Sequence, residues 1–164
     1  RSDAANDDFL FDQGPTRGLG KIRFHDYRET YEKFDLPNIE AFKDQIKRLR
    51  KLLMVAKPDK NQSRDLDYLL VLGELFTLVV YGHLVLEKAL MDETDPDLLN
   101  QMFGLFVRDF SGYATELYGK PSNSNRQRKM IRRLIQAPVA DAEQAERVWN
   151  EHVYALKGQY RMGA

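Results

Sequence analysis

One run of residues restricts the fold of this chain more than any other. Between Ser63 and Met91, Leu66, Leu69, Leu70, Leu72, Leu75, Phe76, Leu78, Val79, Val80, Leu84, Val85 and Leu86 leave almost no polar face. As a helix this run is on the order of 40 Å long, about the diameter of a compact domain of this size. A helix apolar on all sides belongs in the centre of a helical core or in a membrane. Asp67, Glu74 and His83 interrupt it and amphipathic segments flank it, so the expectation is a central core helix with neighbours that cover it. Gly73 and Gly82 each cost roughly 1 kcal/mol against Ala in a helix interior, which points to close approach of a neighbouring helix.

The neighbours are readable from their periods. Tyr27, Tyr31 and Phe34 share one face of a short helix. A second helix starts near Asn38 after Pro37 and stops before Pro58. It buries Phe42, Ile46, Leu49, Leu53 and Ala56 and presents Lys43, Lys47, Arg50 and Lys51 to solvent. A fourth helix has Asp95 as its cap, Pro96 at its first position and Asp97 facing the dipole. Its stripe is Leu99, Phe103, Phe106, Phe110, Tyr113 and Leu117, with Gly104, Arg108, Ser111 and Thr115 on the wet side. Gly119 followed by Pro121 predicts a left-handed stop.

A fifth helix, roughly residues 126 to 136, is capped by Asn123 or Ser124 and ended by Pro138. Asp141 and Gln144 read as a capping box for the last helix, which is expected to bury Ala145, Val148, Trp149, His152, Val153 and Leu156. No run alternates like a strand. The fold expected is all-α, a bundle of about five to six helices around the long apolar one. Residues 1 to 8 are read as a linker and 9 to 164 as a single helical domain.

Composition limits the chemistry. The 164 residues hold 25 Lys plus Arg against 25 Asp plus Glu, so no whole-surface wrapping of nucleic acid is expected. Cysteine is absent, which removes disulfides, thiolate metal sites and Cys nucleophiles and fits a reducing, cytoplasmic compartment. Position 1 is Arg and no signal peptide is visible, so the chain is expected to be a piece of something longer. His25, His83 and His152 are too far apart in sequence for a metal spacing, and the last two fall on apolar faces. No serine sits in a nucleophile elbow. Glu74, within the most apolar helix, is the one carboxylate whose burial would raise its pKa.

Two cationic clusters are candidates for anion or partner contacts. Arg17, Lys21 and Arg23 sit in a glycine-punctuated loop that lacks the spacing of a phosphate loop. Arg128, Lys129, Arg132 and Arg133, beside Arg126, form one side of the fifth helix, opposite Met130, Ile131, Leu134 and Ile135. Such a face can meet nucleic acid, an anionic membrane or an acidic partner.

Four stretches carry a resemblance: FLFDQGPTRGLGKIRF (9 to 24), DLDYLLVLGELFTLVVYGHLVLEKAL (65 to 90), LFVRDFSGYATELYGKPS (105 to 122) and VWNEHVYALKGQYRM (148 to 162). This text resembles the C-terminal helical extension of bacterial acyl-CoA dehydrogenases. The resemblance implies a parent flavoprotein that oxidises acyl-CoA to 2-enoyl-CoA with FAD, in fatty acid metabolism. A glutamate takes the α-proton there and the flavin takes the hydride. The family's Tyr-Glu-Gly-Thr type segment that carries the base has no match here; Thr115-Glu116-Leu117-Tyr118-Gly119 has the wrong order. The flavin-contacting segments have none either. The resemblance therefore implies a structural or assembly domain with no catalytic, cofactor-binding or metal residue of its own. Its expected partners are the catalytic domains of the parent and further copies in a homo-oligomer.

Overall fold

The computed structural model describes residues 26–159. The linker at 1 to 8, the glycine loop with Arg17, Lys21 and Arg23, and the tail from 160 lie outside the described residues. Among the described residues six α-helices follow one another: α1 (Tyr27–Tyr31), α2 (Pro37–Val55), α3 (Leu66–Asp92), α4 (Pro96–Gly119), α5 (Asn125–Ile131) and α6 (Ala142–Val148). Among the described residues there is no strand, and the chain is an all-α bundle.

Most helix starts follow from local chemistry. Asp65, Asp95 and Asp141 each place a carboxylate oxygen on the backbone N–H of the third residue along, at 3.3, 2.8 and 3.0 Å. Ser124 and Gln127 close a reciprocal capping box ahead of α5. The helix ends depart more from expectation. α4 stops because Lys120, ahead of Pro121, is extended, while Gly119 stays helical. The left-handed stop belongs to α3, where Glu93 has φ 51° and the Thr94 N–H reaches back to Ala89 O at 3.1 Å. α5 tightens into a 3₁₀ turn at Arg132–Leu134. α6 widens into a π turn at Trp149–Val153, which leaves Trp149, Val153 and Leu156 exposed instead of buried.

The core forms where α1, α2, α3 and α4 meet. Tyr31, Phe42, Phe103, Phe106 and Phe110 pack with ring centroids 5.1 to 6.2 Å apart. The five-residue α1 is too short to be stable alone. It is anchored by Tyr31, whose hydroxyl donates to Val79 O at 3.1 Å and whose phenol pKa burial pushes up. Gly82 makes that approach possible: a Cβ there would lie 2.4 Å from the Tyr31 hydroxyl and 3.0 Å from a Phe42 ring carbon.

Buried amides hold the remaining pieces. Gln45, fully buried on α2, directs its Nε2 at Val107 O, Ser111 Oγ and Leu134 O, at 3.2, 2.9 and 2.9 Å. Ser111, expected on the wet face, is buried because its hydroxyl donates to Gln136 O at 2.6 Å and accepts from Gln136 N. Gln62 and Gln127 bond each other in both directions, at 3.2 and 2.9 Å. Asn38 joins the start of α2 to Asn100 on α4 and to both backbone groups of Val139.

The long apolar helix is present at 27 residues, but its cover is one-sided. Tyr68, Val71, Leu72, Leu75, Gly82, Leu86 and Ala89 face the core. Leu66, Leu70, Phe76, Val80, Tyr81, Leu84 and Met91 are at least half exposed. α4 and the short α1 pack against the inner side only, with Phe42 of α2 reaching in at Gly82, so the expected all-round cover is not supplied by the described residues.

Two substitutions test this packing. Gly82→Ala is expected to destabilise the fold by about 1–3 kcal/mol, because the hydroxyl of a buried tyrosine must move. Gln45→Ala is expected to lose a similar about 1–3 kcal/mol by orphaning carbonyls on two elements. Urea unfolding followed by circular dichroism measures both.

Candidate functional site

The cations of the fifth helix divide into two groups. Lys129, Arg132 and Arg133 point to solvent, whereas Arg128 is partly buried. Its guanidinium lies under the end of α4 and donates to Tyr118 O, Lys120 O, Pro121 O and Asn123 O at 3.3 to 3.4 Å. These are carbonyls that a helix end and its loop leave without partners. Arg128 is thus a clamp on the α4–α5 loop. Beside it, Asn123 Nδ2 donates to Leu117 O at 2.5 Å and the Tyr68 hydroxyl donates to Asn123 Oδ1 at 3.2 Å.

One of the exposed cations, Arg133, meets those of α2. Lys47, Arg48, Lys51 and Arg133, with Asp44 and Met130, line one shallow depression. The basic faces of two helices eighty residues apart in sequence are therefore one surface. Arg48 is tied to Asp44 at 2.5 Å, and Asp44 also accepts from Gln136 Nε2 at 2.7 Å. Lys47, Lys51 and Arg133 supply the uncommitted charge at this spot.

The acid and base candidates scatter. Glu74 is exposed, not buried. It stands beside the Tyr113 hydroxyl and, with Asp109 and Glu116, raises that phenol's pKa. His83 is a satisfied histidine: its Nε2 lies 3.1 Å from Thr30 Oγ1 and 3.2 Å from Glu87 Oε1. His152 Nε2 lies 3.5 Å from Asp95 Oδ1. Asp95, Glu151 and His152 bring one ligand atom each within 4.8 Å of one another. Three donors are what an open divalent site takes with a water as fourth ligand; here Asp95 Oδ1 already accepts from Leu98 N in capping α4, and Glu151 is exposed.

The C-terminal helix α6 is held by one carboxylate. Asp97 accepts from Arg147 Nε at 2.6 Å and from Gln144 Nε2 at 2.8 Å, while Gln144 Oε1 accepts from Asn100 at 2.6 Å. The Arg147 guanidinium first, then the Gln144 amide, holds the Asp97 carboxyl below the usual carboxylate range.

A groove of about 860 Å³ lies between α1, α2 and α3. Ile46, Leu49, Leu53, Met54, Phe76 and Val79 form its walls, with Asp26, Arg28 and Arg50 at the rim. Asp26 and Arg28 are paired, which pulls the Asp26 pKa down to about 2. One uncommitted arginine over apolar walls does not fit the pyrophosphate of a dinucleotide, which takes a row of backbone donors at a helix start.

No protein-family model, curated protein or solved structure matches this chain.

Two outcomes are expected from this geometry. Arg128→Ala is expected to cost more stability than Arg132→Ala, by about 1 kcal/mol, because only Arg128 bonds the partly exposed carbonyls of the α4–α5 loop; paired thermal melts compare them. The Asp97 clamp has a signed pH dependence. Its folded pKa is lowered, so its contribution is complete above the ordinary aspartate value of about 3.9 and is lost as pH falls through the folded value. Amide exchange of α6 in wild type accelerates across that acid window. In Asp97→Asn it is expected to be fast already at neutral pH and flat across the window.

Proposed function

We propose that this chain is a non-catalytic assembly domain of an acyl-CoA dehydrogenase-like flavoprotein. One observation carries the assembly half: a helix with mean hydropathy 2.0 over its most apolar window has only 28% of that window buried. A contiguous exposed apolar face marks a protein-contact or membrane-interaction surface, and the buried inner side of α3 within a bundle of amphipathic helices favours the first. The rigid amide-latched bundle behind it gives that surface a fixed shape. The family half rests on the text of residues 9–24, 65–90, 105–122 and 148–162. In this reading FAD and the catalytic glutamate belong to other domains of the parent, which this domain braces against each other or against a second subunit.

The purified chain is expected to be colourless and to leave the fluorescence of added FAD unchanged. A yellow preparation or quenched FAD overturns the reading. The residues encoded on the N-terminal side in the parent gene are expected to include flavin-binding domains and a Tyr-Glu-Gly-Thr type segment. Their absence removes the family half and leaves the assembly half standing.

A second reading is favoured by the merged basic surface of α2 and α5. Lys47, Lys51, Lys129 and Arg133 can hold the phosphates of nucleic acid or of an anionic bilayer. It predicts binding at low salt that weakens steeply with added salt and is lost in Lys51→Ala/Arg133→Ala. Absence of binding to both duplex DNA and anionic vesicles removes it.

A further inference from the structure

We infer that the bare seam of α3 pairs in parallel with the same seam of a second copy of this chain, across a two-fold axis running along the helix. The inference rests on the assembly half of the reading above and is independent of the flavoprotein half.

The seam has the register of a helix-pairing surface. Leu66, Leu70, Gly73, Thr77, Val80 and Leu84 follow at alternating steps of four and three, and all are exposed. That is the heptad spacing that keeps one stripe facing a partner helix. Leu66 is 70% exposed, Leu70 60%, Val80 50% and Leu84 55%. The charged seam position, Glu87, is drawn aside to His83 at 3.2 Å.

Gly73 leaves room for a close partner in the middle of the seam. A glycine inside a helix is costly, and among the described residues nothing fills the space beside it: a Cβ at Gly73, as at Gly112 on α4, would meet no heavy atom within 4 Å. Gly82, on the opposite face, is filled by Tyr31 and Phe42. One turn on from Gly73, the Thr77 hydroxyl donates to Gly73 O at 2.9 Å. Its polar atom is satisfied within the helix. Gly73 and Thr77 therefore make a shallow, satisfied notch in the middle of an apolar seam, where another backbone can come near.

The flanking charges select a second copy and set its direction. On the α4 side, Glu74 stands beside Tyr113 as the acid of that flank that is unpaired among the described residues, with the Arg108–Asp109 and Lys120–Glu116 pairs beyond it. On the α2 side, Arg50 lies by the groove at the level of Phe76, Val79 and Val80, with the Arg28–Asp26 pair next to it. A two-fold axis along α3 carries the acidic flank of one copy onto the basic flank of the other at the same height, so Glu74 faces Arg50 of its mate. An axis across the helix would make the pair antiparallel and lay acid on acid. Opposite charges meeting across an interface fix register in this way. Half-exposed large apolar side chains along 27 residues amount to on the order of 800 Å² per copy, the area each partner gives to a standard stable interface.

The test is the mass of the full chain in solution. Light scattering is expected to give twice the 19.1 kDa chain mass. Leu70→Glu/Leu84→Glu is expected to give the monomer with unchanged helical circular dichroism, since both side chains are already exposed. Gly73→Leu is expected to weaken the dimer while the monomer stays folded. Glu74→Arg and Arg50→Glu alone are each expected to raise the dimer Kd about tenfold, and the double exchange Glu74→Arg/Arg50→Glu to restore it. A monomeric wild type, or a dimer indifferent to the seam variants, overturns the inference. Sensitivity to the seam without rescue by the double exchange overturns the parallel arrangement. Seam-dependent binding to neutral lipid vesicles by a monomeric chain overturns it in favour of a bilayer. If the chain is monomeric but Leu70→Glu/Leu84→Glu releases it from the parent's catalytic domains, the inference falls and the assembly reading stands.

Discussion

The structure depends on a mismatch between one helix and its neighbours. α3 carries apolar side chains around its whole circumference, and α2 and α4 are amphipathic helices with a single apolar stripe each. The stripe of α4, the short α1 and side chains of α2 such as Phe42 cover about half of the circumference of α3. The inner half becomes the bundle core, and the outer half remains in water or meets something else. Burial of apolar area is worth roughly 25 cal/mol per Å², so an uncovered 40 Å ridge is a large unused driving force. The same property that makes α3 the organiser of the core makes it the natural contact surface.

Specificity within the bundle comes from amides more than from charges. Asn38, Gln45, Gln62, Asn100, Asn123, Gln127 and Gln144 are all buried, and each bonds to a distant segment. An amide offers donors and acceptors without the desolvation cost of a charge. It can therefore satisfy loop carbonyls inside a core where a lysine or glutamate could not. The ion pairs sit at the rim: Lys120 with Asp67 and Glu116, Arg147 with Asp97, and Lys88 with Asp92. They add little individually. Asp97 is the exception in consequence, because its two hydrogen bonds, with the Asn100–Gln144 bond beside them, tie α6 to α4.

Helix starts and apolar stripes were legible because they are written in local text. Asp95-Pro96-Asp97, Ser124 with Gln127, and the spacing of Phe103, Phe106 and Phe110 each act within one or two turns. The misreadings have long-range causes. Ser111 looked wet because its partners, Gln45 and Gln136, are far away in sequence. Arg128 looked like a surface cation because the carbonyls it clamps belong to the preceding loop. The last helix looked buried through Leu156 because an unbroken 3.6-residue period was extrapolated through what became a π turn.

The sequence by itself determined that the chain is all-α, where its helices begin, and that one of them is too apolar to stand in water. These follow from short-range rules: caps, proline positions and the period of apolar residues. Only the tertiary structure decided which half of α3 is covered and that Gly82 is filled while Gly73 is empty. It also decided that the basic faces of α2 and α5 are one surface. Those are facts about which segments lie side by side, and no local pattern encodes them. The reason is geometric: a helix nearly uniform in hydrophobicity carries no moment to say which way it faces, so its neighbours must choose for it.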